Sequence, residues 1–225
     1  MGIQTHDVEI STNNCNWVDD DFISPDIYLY TVPHTGTTFV MKYLHHIGFN
    51  SSLRTDDGKH KYYAIHSIPG YVEDNEICNR IVSKCPLENN KLLVTARHPH
   101  HCLMSHLARY ENTHTHEEIF DMTCARWYHF LTTISNSMYM VFNLDMPQHN
   151  RHTDLTTLAY LLTGSSLAPD LESFTNEWKP ENKFSKSREN PYMVKYAQDP
   201  SFINKFDLER LNAAVDWYEV VTSDP

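Results

Sequence analysis

Basic residues are scarce in this chain: 18 Lys and Arg stand against 29 Asp and Glu, giving a formal net charge of −11 over 225 residues. A surface that acidic disfavours general affinity for DNA, RNA or an anionic membrane. Long apolar runs are missing too, and the first 25 residues are polar and acidic, without the basic start and apolar centre of a signal peptide. The expectation is a polar N-terminal extension over 1–25, followed by one domain over 26–225, in a soluble cytoplasmic protein with no membrane partner. Cysteine is sparse and odd in number, five with no CxxC pair, which fits reduced thiols rather than a disulfide framework. Glycine is sparse as well, with only 6 residues, so a glycine between a strand and a helix is a feature worth explaining.

Gly36 is such a residue. Tyr28 to Val32 read as a buried strand, Pro33 stops its ladder, and Thr37 and Thr38 open a helix through Ile47 that Gly48 closes. A helix N-terminus presents unpaired N–H groups and the positive end of a dipole, which suits a phosphate or sulfate. Further strands are predicted at Lys61–His66, Lys91–Ala96 and Met138–Leu144. Helices are predicted at Glu73–Lys84, from Pro99 through Tyr110, from a Thr115/Glu118 capping box through Ile134, at Thr153–Leu162 and at Phe202–Val221. The polar segment Ser165–Pro200 reads as loop or lid. Strands alternating with helices imply an α/β fold of three layers, a central parallel sheet flanked by helices.

The loop Pro33-His-Thr-Gly-Thr-Thr38 lacks the early Gly and the Lys after the second Gly that a Walker A sequence needs, which disfavours an ATP- or GTP-using kinase. It resembles instead the 5′-phosphosulfate loop, Pro-Lys-Ser-Gly-Thr-Thr-Trp, of the sulfotransferases that use 3′-phosphoadenosine 5′-phosphosulfate (PAPS). The family's 3′-phosphate motif, Arg-Asn-Pro with a Ser eight residues after the Arg, is matched by Arg97-His-Pro99 and Ser105. An Arg at a strand end and a Ser on the next helix can converge on one phosphate through charge-assisted hydrogen bonds. His66, in His-Ser-Ile-Pro69, is similar to the family's general base in its His-Leu-Pro setting, with one extra residue.

This resemblance spans most of residues 27–221 and implies a P-loop-like fold and sulfuryl transfer from PAPS to a hydroxyl or amine of a small-molecule or glycan acceptor, with 3′-phosphoadenosine 5′-phosphate (PAP) as product. His66 is then the general base, a task suited to an imidazole near neutrality. Thr35, Gly36, Thr37 and Thr38 would cradle the phosphosulfate, Phe39 would take the place of the family's Trp and stack on adenine, and Arg97 and Ser105 would hold the 3′-phosphate. His34 stands where the family has its catalytic Lys, and a partly protonated imidazole would play that part more weakly. The family's C-terminal Gly-x-x-Gly-x-x-Lys loop is missing, and Lys186 and Arg188 are the candidates to cover the 3′-phosphate in its stead. No metal is expected, because the His-rich stretches lack a zinc spacing with a second ligand pair. A non-catalytic binder of 3′-phosphoadenosine nucleotides and a P-loop nucleotide kinase are the alternative readings.

Overall fold

The computed structural model describes residues 25–51, 57–67, 91–135, 138–145, 148–164, 170–171, 173–174 and 190–223. Within them, strands β1 (Ile27–Thr31), β2 (Tyr62–His66), β3 (Lys91–Ala96) and β4 (Met140–Asn143) form one parallel sheet in the order β2-β1-β3-β4. Every residue of β1 is buried, as a central parallel strand covered on both faces requires.

Side-chain alternation along the strands divides the core in two. Tyr28, Tyr30, Leu92 and Val94 face helices α2 (Pro99–Tyr110), α3 (His116–Ile134) and, further on, α6 (Asn212–Thr222), packing with Leu103, Leu107, Trp127, Phe130 and Ala214. Ile27, Leu29, Leu93 and Phe142 face the other way, onto α1 (Thr37–His46) and α4 (Gln148–Thr163), where Val40, Tyr43, Leu44, Leu155 and Leu158 complete a second cluster. Helices therefore cover both faces, and the three-layer α/β architecture anticipated from the alternating pattern is the one observed. Burying a side chain the size of Leu or Phe contributes roughly 1.5–3 kcal/mol, against about 1 kcal/mol for a helix cap, and each cluster buries many such side chains. The tertiary clusters, more than local propensity, hold these helices in place.

Local signals nevertheless set the helix ends. Helix α1 ends in a Schellman motif, with the Gly48 N–H on the His45 carbonyl (3.1 Å) and the Phe49 N–H on the Leu44 carbonyl (2.9 Å), and Gly48 takes the left-handed conformation at φ 98°. Pro99 occupies the first turn of α2, where its missing N–H costs nothing. Thr115 and Glu118 form the anticipated capping box at the start of α3.

Three expectations need correction. Helix α4 begins at Gln148 rather than at Thr153, since residues 148–152 contain no glycine or proline to stop it. Part of the stretch read as loop or lid is helix α5 (Pro191–Gln198), capped by the Asn190 side chain, which accepts from the N–H groups of Tyr192 and Met193. The closing helix is shorter than Phe202–Val221, because Pro200–Lys205 and Leu208–Leu211 are 3-10 turns that precede α6. The predicted helix Glu73–Lys84 and the N-terminal extension lie outside the described residues. Among the described residues, no helix is long and apolar enough to cross a membrane.

The Thr115 cap is solvent-exposed and its contribution is local. Thr115→Ala is expected to lower the unfolding free energy by about 1 kcal/mol, read from urea denaturation, with no change in the slope of the transition.

Candidate functional site

The strand order places β1 between β2 and β3, so the chain leaves β1 to one side and later returns to the other. The carboxyl ends of β1 and β3 thus flank the switch point where parallel α/β sheets open a crevice. Both motifs singled out in the sequence follow these two strands.

After β1 the backbone turns through two left-handed residues, His34 at φ 68° and Gly36 at φ 96°. Gly36 is required twice over, since a Cβ there would also lie 2.8 Å from the Leu144 side chain. Helix α1 then begins with no side-chain cap and no acidic residue in its first turn, which leaves its leading amides and dipole to an anion. Thr38 is exposed on that turn. The Thr37 hydroxyl meets Thr31 Oγ1 at 2.7 Å, and Thr31 Oγ1 in turn meets His66 Nδ1 at 3.0 Å. Thr31 and His66 are register partners in β1 and β2, so the sheet itself aligns the imidazole with the start of α1.

On the other side of the crevice, Arg97 follows β3 with its side chain largely buried. Its Nη1 donates to the Ser105 hydroxyl (2.9 Å) and to the His34 carbonyl (2.9 Å), which brings the two motifs into direct contact. Asp145, just after β4, sits 3.8 Å from Arg97 Nε and accepts from the His98 N–H at 2.6 Å and from His101 Nδ1 at 3.2 Å. Burial pushes the Asp145 carboxyl up, but the His101 and His98 hydrogen bonds and the charges of His101 and Arg97 outweigh it and hold it below its ordinary value. Arg97 Nε is buried and makes no hydrogen bond.

A further wall of the crevice was not anticipated. The His34 ring stands edge-on to His106 (centroids 5.0 Å apart) and to Tyr110 (6.3 Å), both on α2. His106 Nε2 faces Arg126 Nη1 of α3 at 3.0 Å, and the Arg126 guanidinium lies 5.5 Å from the Tyr110 ring centroid. The Ser67 hydroxyl, one residue past His66, donates to the Arg126 carbonyl at 2.7 Å. The signal for Arg126 was present in the sequence, as a cation on the buried face of α3 that also carries Ile119, Thr123 and Phe130. Its partners come from other elements, so nothing local revealed its role.

Several sequence-derived assignments change. Phe39 is 4 % exposed and packs on Phe142 and Phe174, with centroids 5.6 and 5.3 Å away, so it belongs to the core rather than to an adenine stack. Thr35 is fully buried, and its hydroxyl donates to the Val32 carbonyl (2.6 Å) and meets Thr95, so this side chain braces the loop instead of facing a ligand. His34 is not partly cationic at neutral pH. Its burial, then the charges of Arg126, His66, Arg97 and Arg109, depress it to about 3. Lys186 and Arg188 lie outside the described residues. No group of three or more His, Cys, Asp or Glu among the described residues is arranged to hold a metal.

An open parallel sheet with an uncapped helix N-terminus after β1 and a buried guanidinium after β3 defines an α/β protein whose crevice suits a multiply charged anion. The fold is that seen in a sulfotransferase: the crystal structure of mouse sulfotransferase SULT7A1 complexed with PAP matches with a TM-score of 0.55 at 14% identity, over 88% of this chain and 84% of that one. No family model matches the chain, and no curated protein matches it either.

Depressed histidines make stability depend on pH. His34 is lowered by burial and neighbouring charges, and His106 by burial and the charges of His34 and Arg126, so the unfolded chain takes up protons below its ordinary histidine range that the folded chain refuses. Stability is therefore full above about pH 6.5 and is lost as pH falls toward the folded values, at up to ~1.4 kcal/mol per pH unit for each group. Urea denaturation between pH 7 and pH 4 is expected to show this decline, and His34→Gln to make it shallower.

Proposed function

We propose that this chain is a sulfotransferase that moves a sulfuryl group from PAPS to an acceptor hydroxyl. The observation that carries this reading is the Arg97 guanidinium, which bonds at once to Ser105 and to the loop carbonyl of His34. Two phosphate-type motifs distant in sequence thus border one crevice, where one doubly phosphorylated adenosine would engage both. The sulfotransferase fold and the PAP carried by SULT7A1 support the same assignment.

In this scheme the phosphosulfate lies at the uncapped start of α1, against the amides of Thr37 and Thr38. Arg97 and Ser105 turn toward the 3′-phosphate, which replaces part of their mutual contact with charge-assisted bonds. The acceptor oxygen attacks sulfur in line and forms a new S–O bond as the bond between sulfur and the bridging phosphate oxygen breaks. PAP leaves with that electron pair, and the acceptor proton passes to His66. The base role requires the neutral tautomer in which Nδ1 donates to the Thr31 hydroxyl, 3.0 Å away, so that Nε2 is the nitrogen that takes the proton. Thr31 thereby couples the base to Thr37 at the donor end. A neutral His34 can give the bridging oxygen a hydrogen bond but no charge. The cations that depress it, Arg126, Arg97 and Arg109 among them, supply the field that favours the developing negative charge.

The neutral His34 also favours a second reading, in which the chain binds PAP-type nucleotides without turning them over. Calorimetry is expected to show PAP binding without magnesium, and more tightly than ATP; the opposite order would point to a nucleotide kinase. Transfer of labelled sulfate from PAPS to an acceptor then separates enzyme from binder, since binding with no transfer would leave only the binder. His66→Ala is expected to lower transfer by at least ~100-fold while PAP affinity stays within about twofold, and full activity in that variant would remove His66 from the mechanism.

A further inference from the structure

Arg126 is the least expected group in the molecule. It is 7 % exposed, its Nε is buried without a hydrogen bond, and no carboxylate among the described residues pairs with it. Its polar side-chain contact is with His106. His106 Nδ1 meets the Thr123 hydroxyl at 2.8 Å, and the imidazole also donates to the Pro33 carbonyl. His106 Nε2 lies 3.0 Å from Arg126 Nη1, and the imidazole, kept neutral by burial and by the charges of His34 and Arg126, adds no negative charge. Among the described residues this buried guanidinium is held by a neutral ring and the Tyr110 face, and no anion offsets it.

The position of this charge indicates what it would meet. Arg126 carries its backbone carbonyl against Ser67, the residue after His66, and its side chain adjoins His106, which touches His34. It therefore borders the crevice on the His66 side, whereas the donor's 3′-phosphate has Arg97 and Ser105 for partners. We infer that Arg126 forms an oxyanion subsite for the acceptor, so that the acceptor is a hydroxy compound bearing a carboxylate or a sulfo group near the hydroxyl it offers. This inference rests on the donor-site reading above. It also gives the buried cation a counter-ion: an anion from the acceptor would satisfy Arg126 and turn the hydroxyl toward His66.

Calorimetric titration of the PAP-loaded chain with 4-hydroxybenzoate, 4-hydroxybenzenesulfonate and the neutral 4-hydroxybenzamide tests this. One or both anions are expected to bind on the order of 10-fold more tightly than the amide. That preference, taken as the ratio of anion to amide affinity within each PAP-loaded variant, should vanish in Arg126→Gln and survive in part in Arg126→Lys. Arg126→Lys keeps the test open if the Gln variant does not fold, because a retained cation should keep a weakened preference. Equal affinity for anions and amide, binding by none of the three, or a preference that outlasts the loss of the cation would overturn the inference. The same titration without PAP separates the two readings: a chain that takes the anions through Arg126 but never binds PAP is not a sulfotransferase, yet retains the subsite.

Discussion

The contact on which the site depends is the one Arg97 makes across the crevice. A largely buried guanidinium, it reaches the loop after β1 through the His34 carbonyl, helix α2 through Ser105, and the end of β4 through Asp145. Hydrogen bonds to charged groups contribute roughly 1.5–3 kcal/mol each, against a desolvation cost of several kcal/mol for a buried ion. The balance is close, which explains why Asp145 is itself so firmly held by His98 and His101: a mobile carboxylate would not compensate a buried cation. The same arrangement leaves Arg97 Nε without a hydrogen bond, so the crevice is built around a cation with donor capacity left over for an anion.

The electrostatics of the chain and of the crevice are opposite in sign. The whole chain carries −11, whereas Arg97, Arg109, Arg126 and His66 all act on His34 as positive or like-charged neighbours. Their combined effect with burial is to deny His34 a proton, and His106 behaves in the same way. A neutral imidazole serves well here because it offers a donor and an acceptor at once. His106 uses both ring nitrogens, Nδ1 toward Thr123 and Nε2 toward Arg126, whereas His129 meets the Tyr30 and Ser67 hydroxyls through Nδ1 alone. His106 and His129 thus satisfy buried polar groups close to the positive charge of the crevice.

Much of the fold was legible before any coordinates. The buried strands β1 and β3, the Pro99 start of α2, the capping box at Thr115 and the Gly48 stop all carry local signatures, and each depends on interactions within a few residues. Where the reading erred, a tertiary or competing local effect decided. Asn190 and Pro191 opened α5 inside a polar segment, and Thr153, a good cap in isolation, became an interior residue because the helix continued upstream. Phe39 shows the same limit within the site: its place after Thr38 suggested a ligand contact, but the inward face of α1 packs it against Phe142 and Phe174.

By itself, the sequence determined which backbone turns could occur and where the motif residues stand: Gly36 where a positive φ is needed, Arg97 at a strand end, Ser105 two turns into the following helix. These follow from local sterics and helical periodicity, which act over a few residues. Only the tertiary structure decided that Arg97 grips the His34 carbonyl, that Thr31 links Thr37 to His66, and that Arg126 arrives from α3 to face the same crevice. Those contacts arise from strand order and helix packing, and the charge state of His34 arises from them in turn, because burial and the sum of neighbouring charges are properties of the assembled fold.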